Sequence, residues 1–396
     1  MEDLKEKLVV TFSSSETTTE AQALQLLSRF TKPEYFRNSD KQLFRCACRN
    51  GWTVVLRALM ELYDPDCQSL LDPLLLQASV NGHLDIVRYL VTEQHRDPMC
   101  ENSYGKTPLQ VACTNGHLDI VRYLVTDQYC DPVYENYYGQ TPLHEACKNG
   151  HLDIVKYLLT EQHCDPFCKN QDGRTLLHEA CENGHLDIVK YLVTEQHCDP
   201  MCKNHDDRTL LHEACENGYL DIVKYLIAEQ HCDPLCKTRD GGTPLGEACK
   251  NGHLDVVKYL VIEQHCDPMC RNHDSGILLH KACENGYLDV VKYLIAEHHC
   301  DPICRNHDGR TLLHQACENG HLDIVKYLVT EQHCDPLCKN HDGRTPLNEA
   351  CGNGHLDIVK YFATKFQWNP LYGHRHYRGQ TCCHTQARPK TRDVDN

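Results

Sequence analysis

Leu152, Ile154, Val155, Leu158 and Leu159 recur at the spacing of one helix face, and predict a helix with a single apolar side. Just upstream, Leu143, Ala146 and Cys147 give a shorter helix its own apolar face. Thr141 is a good N-cap for that helix, and Pro142 fits its first position, where no amide hydrogen is lost. Asn149-Gly150 ends it, glycine being suited to a positive φ. After the second helix, Asp165-Pro166 disfavours further helix, and Lys169–Gly173 reads as a turn rich in Asn, Asp and Gly. The predicted plan is helix, turn, helix and a projecting, hairpin-like loop.

The plan repeats. Asn-Gly, then His or Tyr, then Leu-Asp begins at Asn81, Asn115, Asn149, Asn183, Asn217, Asn251, Asn285, Asn319 and Asn353, always 34 residues apart. Asn50-Gly51-Trp52 is a weaker copy. A fixed period of this length predicts a solenoid, in which each repeat buries its apolar face against its neighbours. The expected fold is all-α, with about ten helix-turn-helix units between residues 41 and 371. In the first unit, Cys46–Gly51 matches the later Ala-Cys-Glu-Asn-Gly runs. The second, starting near Leu70, lacks the Thr-Pro-Leu opening, and the units are regular from Lys106 onward.

Residues 1–40 fall outside the period. Ser13–Ser15 and Thr17–Thr19 make a polar stretch, and Ala21–Phe30 carries Leu24, Leu26, Leu27 and Phe30 as an amphipathic helix. Its expected task is to cover the end of the first unit, since terminal repeats need a cap; a docking segment is the alternative. Residues 372–396 break register. Arg375, Arg378, Arg388, Lys390 and Arg392 make them basic, and a solvated, poorly ordered tail is expected. Thr381-Cys382-Cys383-His384 echoes the Thr-Pro-Leu-His opening.

Thr141–Cys147 followed by Asn149–Val155 resembles the ankyrin repeat. The resemblance extends from about Lys41 to Leu371. It implies L-shaped units stacked side by side, whose hairpin tips and first helices line a concave, protein-binding face. Three departures stand out. The period is 34 rather than the family's 33, and the extra residue falls at the end of the second helix, in Thr160–His163. There His163, His197 and His231 replace the family's Gly, and His tolerates the left-handed conformation better than most residues. Leu176, Leu210, Leu278 and Leu312 replace the first-position Pro, which should weaken those helix starts. Pro200-Met201-Cys202 replaces the family's Val-Asn-Ala, so hydroxylation of the family's loop Asn does not carry over.

Charge narrows the functional classes. A formal net charge of -16 argues against nucleic acid, whose phosphates need a basic surface. Met1–Val10 does not resemble a signal peptide, and no apolar run reaches the roughly 20 residues that cross a bilayer. The 27 cysteines follow the repeat and read as free thiols in a reducing, cytoplasmic setting, with the nucleus possible.

Two repeated constellations invite chemistry. His163-Cys164 and Cys168 recur as His197-Cys198 and Cys202, through to His333-Cys334 and Cys338. A tetrahedral zinc site needs four ligands at about 2.0–2.3 Å. One repeat offers three at most, and packed neighbours lie roughly 8–10 Å apart. Cys164, Cys168 and Cys181 are therefore expected as small packing residues, with no metal and no cofactor. His144, His178, His212, His280 and His314 stand where the family's imidazole ties one repeat to the next. A column of single His or Glu residues does not converge on one pocket, so the chain is not expected to be an enzyme.

The positions that vary in ankyrin contacts map here to Glu101, Ser103, Tyr104, Lys106, Thr114 and Asn115, then to Glu135, Tyr137, Tyr138, Gln140, Lys148 and Asn149. In later repeats they become monotonous: Lys203, His205, Asp206, Arg208 and Glu216, then Arg305, His307, Asp308, Arg310 and Glu318. The exception is tyrosine. Tyr104, Tyr134, Tyr137 and Tyr138, with Lys106 and Gln140, form the expected protein-binding cluster, because a rigid ring with a hydroxyl suits an interface anchor. Packing of one tip on the next is the competing reading. The expected function is a monomeric, non-catalytic scaffold or adaptor. The alternatives are an enzyme inhibitor and the recognition subunit of a ubiquitin ligase.

Overall fold

The computed structural model describes residues 19–28, 41–62, 68–269, 278–366, 374–377 and 380–383. Of the expected terminal features, Ser13–Ser15, Phe30, Arg378, Arg388, Lys390 and Arg392 lie outside them. The chain divides into two bodies, residues 1–205 and 206–396.

In the first body, helix Glu20–Leu27 precedes five helix pairs: Lys41–Asn50 with Thr53–Leu62, Gln68–Asn81 with Leu84–Arg88, Pro108–Asn115 with Leu118–Arg122, Pro142–Lys148 with Leu152–Thr160, and Leu176–Glu182 with Leu186–Thr194. Successive first helices pack directly on one another. Helix Glu20–Leu27 lies against Thr53–Leu62. It buries Ala23 and Leu27, and Glu20 Oε1 accepts the Val54 and Val55 amides at 2.8 and 3.3 Å. Those donors have no partner within their own helix, so Glu20 supplies the anionic cap that a helix N-terminus favours.

The second body holds five more pairs: Leu210–Glu216 with Leu220–Lys224, Pro244–Asn251 with Leu254–Lys258, Leu278–Asn285 with Leu288–His298, Leu312–Asn319 with Leu322–Thr330, and Pro346–Gly352 with Leu356–Lys365. His374–Tyr377 and Gln380–Cys383 then pair as antiparallel strands. Thr381-Cys382-Cys383 is thus strand, in spite of its likeness to a helix start.

The repeat's sequence accounts for its local structure. Thr141 is extended at φ -88° and ψ 167°, and its hydroxyl and amide meet His144 Nδ1 at 2.9 and 3.3 Å. This closes a capping box with histidine in the usual Glu or Gln place. The helices that begin with Leu176, Leu210 and Leu312 start at the same position as those with Pro, under the same box. These leucines are fully buried. Burial of that kind contributes about 1.5–3 kcal/mol, which offsets the missing Pro.

The additional residue of the 34-residue period is absorbed at the end of the second helix. The Tyr157 carbonyl accepts the amides of both Glu161 (3.0 Å) and Gln162 (3.3 Å), and Cys164 N–H reaches back to Leu158 O at 3.0 Å. In four repeats the widening becomes a full π turn: Tyr89–Glu93, Tyr123–Asp127, Tyr225–Glu229 and Tyr259–Glu263. The turn brings Gln162 Nε2 to 3.0 Å from the Tyr157 hydroxyl, five residues back. His163 then takes the left-handed conformation at φ 53°, as do His197, His231 and their equivalents, so the turn survives without Gly.

Two ladders join neighbouring repeats. His117, His151 and His185 each donate from Nε2 to a carbonyl 37 residues earlier, at 2.9, 3.1 and 3.0 Å. Each ring lies against the turn glycine of the preceding repeat. On the second helices a cation sits over the next repeat's tyrosine: Arg57 on Tyr89, Arg88 on Tyr123 and Arg122 on Tyr157, at 4.3, 4.7 and 4.2 Å. Lys224, Lys258 and Lys292 do the same in the second body. Each such contact contributes about 0.5–1 kcal/mol.

Candidate protein-binding surface

The two hairpin tips that carry the tyrosines are each shaped by one asparagine. Asn136 Oδ1 accepts the amides of Tyr138 and Gln140 at 2.9 and 3.1 Å, and Gly139 N–H donates to Asn136 O at 2.9 Å. This leaves Tyr137 and Tyr138 at the tip. Asn102 does the same for Tyr104 and Lys106. Adjacent tips are bonded through the backbone, Tyr137 N–H to Tyr104 O at 3.3 Å.

The structure brings together part of the expected cluster. Glu101 accepts both the Tyr134 and the Tyr137 hydroxyls, the latter at 3.1 Å. The shared carboxylate raises the pKa of both phenols above the ordinary tyrosine value. The Tyr137 ring also covers Gly105, whose missing Cβ would stand 2.4 Å from a ring carbon. Tip packing therefore does operate at Tyr137, and it leaves the residue 61% exposed. Tyr104 and Tyr138 are 57% and 55% exposed.

Lys106 and Gln140 sit differently. Lys106 Nζ lies 2.7 Å from Glu145 Oε1, and Glu145 is buried. Gln140 is half-buried, and its carbonyl takes Gln110 Nε2 at 2.7 Å. The Lys106–Glu145 pair begins a set of braces that sequence reasoning missed. Arg174 spans Glu179 and Glu182 at 3.3 and 2.5 Å, Arg208 reaches Glu213 and Glu247 at 3.2 and 3.4 Å, and Arg344 reaches Glu349 at 3.3 Å. Burial pushes the Glu179 carboxyl above its ordinary pKa, and Arg174 opposes that shift. Within the monotonous polar strip, Arg174, Arg208, Arg310 and Arg344 are thus paired internally with glutamates. The five-residue spacing of Arg174 and Glu179 was a signal that could have found it.

The repeated histidines have structural partners. His212, His280 and His314 donate from Nε2 to the Gly242, Arg310 and Arg344 carbonyls of the next repeat, at 3.2, 3.1 and 3.0 Å. Burial holds the His144 and His314 imidazoles down to a pKa of about 4. Cys168 Sγ lies 3.9 Å from His144 Nδ1, and Cys202 stands in the same relation to His178. Burial drives the Cys168 thiol up to about 12, far from the thiolate that nucleophilic or metal chemistry uses. Cys164 and Cys181 are buried and Cys168 is half-buried, as small packing residues would be. Among the described residues, no group of three His, Cys, Asp or Glu side chains is placed to hold a metal ion, and no helix is long and apolar enough to cross a membrane.

One feature had no counterpart in the sequence reading. From Asp131-Pro132 onward, the residue after each Asp-Pro is apolar and exposed: Val133, Phe167 and Met201 in the first body, and Leu235, Met269, Ile303 and Leu337 in the second. Its signal was an apolar residue at every repeat in a loop otherwise polar.

A family model described as ankyrin repeats, in three copies, matches residues 43–136, 75–170, 127–204, 160–238, 177–272 and 279–370. Comparison with curated proteins found no match. The matched segments cover most of the chain and fall on the helix pairs described above, and the chain belongs to the ankyrin repeat family.

Proposed function

We propose that this protein is a non-catalytic scaffold or adaptor in a reducing compartment. Its principal contact surface is the pair of hairpin tips bearing Tyr104, Tyr134, Tyr137 and Tyr138, bordered by Lys106 and Gln140. Ankyrin repeats are in general protein-interaction modules. The observation that carries the reading is that Tyr104, Tyr137 and Tyr138 are each more than half exposed on tips held by Asn102, Asn136 and Glu101. Aromatic groups fixed before binding lose little entropy when a partner arrives. Free thiols at the described cysteines between Cys46 and Cys351 support the compartment.

The test is a triple variant, Tyr104→Ala, Tyr137→Ala and Tyr138→Ala, compared with the wild type in affinity capture from native lysate and then against the purified partner. The expected loss is at least about tenfold in affinity, or about 1.4 kcal/mol. Because Tyr137 also packs on Gly105, the pair Tyr104→Ala and Tyr138→Ala serves as the variant with the fold intact. Equal recovery of every captured protein by both variants would remove the reading. An activity assay on the partner, with and without this chain, separates a scaffold from an inhibitor.

A further inference from the structure

The tyrosines and an excess of acid fall on the same two loops. Glu101 and Glu135 are exposed, and they occupy the position at which the next two repeats carry Lys169 and Lys203. Tyr104 and Tyr138 stand three residues further on, where those repeats carry Asp172 and Asp206. Aromatic rings and carboxylates are therefore added together, and the basic residue is lost with them.

The cations of the two loops are already engaged. Lys106 is held 2.7 Å from the buried Glu145. Arg96 is half-buried beside Asp97, and its Nε donates to the Gln94 carbonyl at 3.0 Å. Setting Lys106 against Glu145 and Arg96 against Asp97 leaves Glu101, Asp131 and Glu135 without a counter-charge. The following loop adds no positive excess: Asp165 and Asp172 accompany Lys169, and Arg174 is held by Glu179 and Glu182.

Elsewhere in the first body the protein completes such a set by itself. Arg122 lies 4.2 Å over the Tyr157 ring, and its guanidinium meets both Glu161 oxygens at 2.7 and 2.9 Å. The tips hold the tyrosine and the glutamate of that arrangement without the arginine. Among the described residues, no Lys or Arg lies over Tyr104, Tyr137 or Tyr138, and neither Glu101 nor Glu135 forms an ion pair.

We infer that the tyrosine tips take a basic segment of a partner protein, whose arginine or lysine side chains lie on the exposed Tyr104 and Tyr138 rings and meet Glu101 and Glu135. This names the partner class of the surface proposed above and rests on that reading. The ring faces attract the cation, and the carboxylates select its sign and speed the encounter. A second copy of this chain, at a net charge of -16, is not the occupant that this charge favours.

The test uses the full-length, reduced chain and a displayed library of random peptides. Binders are selected on the wild type and depleted on the variant Tyr104→Ala with Tyr138→Ala, so that the survivors are those that use the tips. They are expected to be rich in Arg and Lys. In fluorescence anisotropy with one such labelled peptide, Glu135→Lys should weaken binding at least about tenfold, and added salt should weaken it steadily. Lysine is the residue that later repeats carry at this position, so the fold should tolerate it. Glu195→Lys makes the same charge change at the exposed end of a second helix, and should leave the affinity within about twofold, since screening confines the effect to near neighbours. If no peptide survives the depletion, the tip surface itself is removed and this inference with it. Neutral or acidic survivors, or equal effects of Glu135→Lys and Glu195→Lys, would overturn the basic partner and leave the surface standing. So would a concentration-dependent dimer in sedimentation that the tyrosine variant abolishes, because the occupant would then be a second copy.

Discussion

At the scale of single residues, the capping-box histidine His314 makes two bonds that only its neutral form can make together. Nδ1 accepts from the Thr amide below it, and Nε2–H donates to the next repeat's carbonyl, as at His314 with Thr311 and Arg344. Protonation places a second hydrogen against the Thr311 amide. The folded pKa of His144 and His314, about 4, lies below the ordinary 6.5 of the unfolded chain. The unfolded state therefore binds more protons in this interval, and folding is favoured less as pH falls. Denaturation midpoints are expected to stay level above pH 6.5 and to drop steadily from there toward pH 4. Another repeat shows which side chain removes the effect. Gln110 offers Oε1 to the Thr107 amide at 3.1 Å and Nε2 to the Gln140 carbonyl at 2.7 Å. His314→Gln should keep both bonds and His144→Gln the one to Thr141, since His144 Nε2 has no hydrogen-bond partner, and together they should flatten the acid limb of a urea-midpoint series. An unchanged slope would mean that other groups titrate there.

At the scale of the repeat element, the Asn-Gly turn meets two demands at once. Gly116 has φ 79°, which costs an L residue about 1–2 kcal/mol. A Cβ at Gly116 would also stand 2.6 Å from the His151 ring, which is tied to Thr114 O at 3.1 Å and cannot move without losing that bond. Gly354 has the same φ of 79° and nothing within 4 Å. Gly354→Ala should therefore cost about the conformational term alone. Gly116→Ala should cost that plus roughly 0.5–1.5 kcal/mol for the strained hydrogen bond. Equal losses for the two in chemical denaturation would show that the ring contact does not couple the repeats. The conformational demand of this turn was legible in sequence, because Asn-Gly after an apolar run is a helix ending. The ring's place against glycine was not, because the two residues lie 35 positions apart. The braces show the same divide. Thr141 and Pro142 announced a helix start, whereas the pairing of Lys106 with Glu145 depends on how one repeat is set beside the next. The candidate surface was legible only in part: the tyrosines stood out against monotonous neighbours, but an exposed apolar residue after Asp-Pro looks the same in sequence as a buried one.

At the scale of the whole molecule, packing from one repeat to the next within a body decides how damage spreads. In the first body, Pro142–Lys148 packs on Pro108–Asn115 and Leu176–Glu182, and its own partner is Leu152–Thr160. Leu158 is fully buried on that partner helix. Leu158→Ala removes a core side chain at a cost of about 2–5 kcal/mol, comparable to the coupling between a few neighbouring repeats. In a globular domain such a loss lowers protection everywhere, because every element shares the core. In the first body the described helix pairs pack mainly on their immediate neighbours. Amide exchange should therefore quicken first in Pro142–Lys148, Leu152–Thr160 and the helices on either side. Thr53–Leu62 packs on Glu20–Leu27 and pairs with Lys41–Asn50, and these helices should hold most of their protection. The measurement is hydrogen–deuterium exchange of wild type and variant at a denaturant concentration below both midpoints. A uniform rise across all described helices would mean that the repeats unfold as one unit, and that the ladders of His on Gly and cation on Tyr couple them more strongly than nearest-neighbour packing requires.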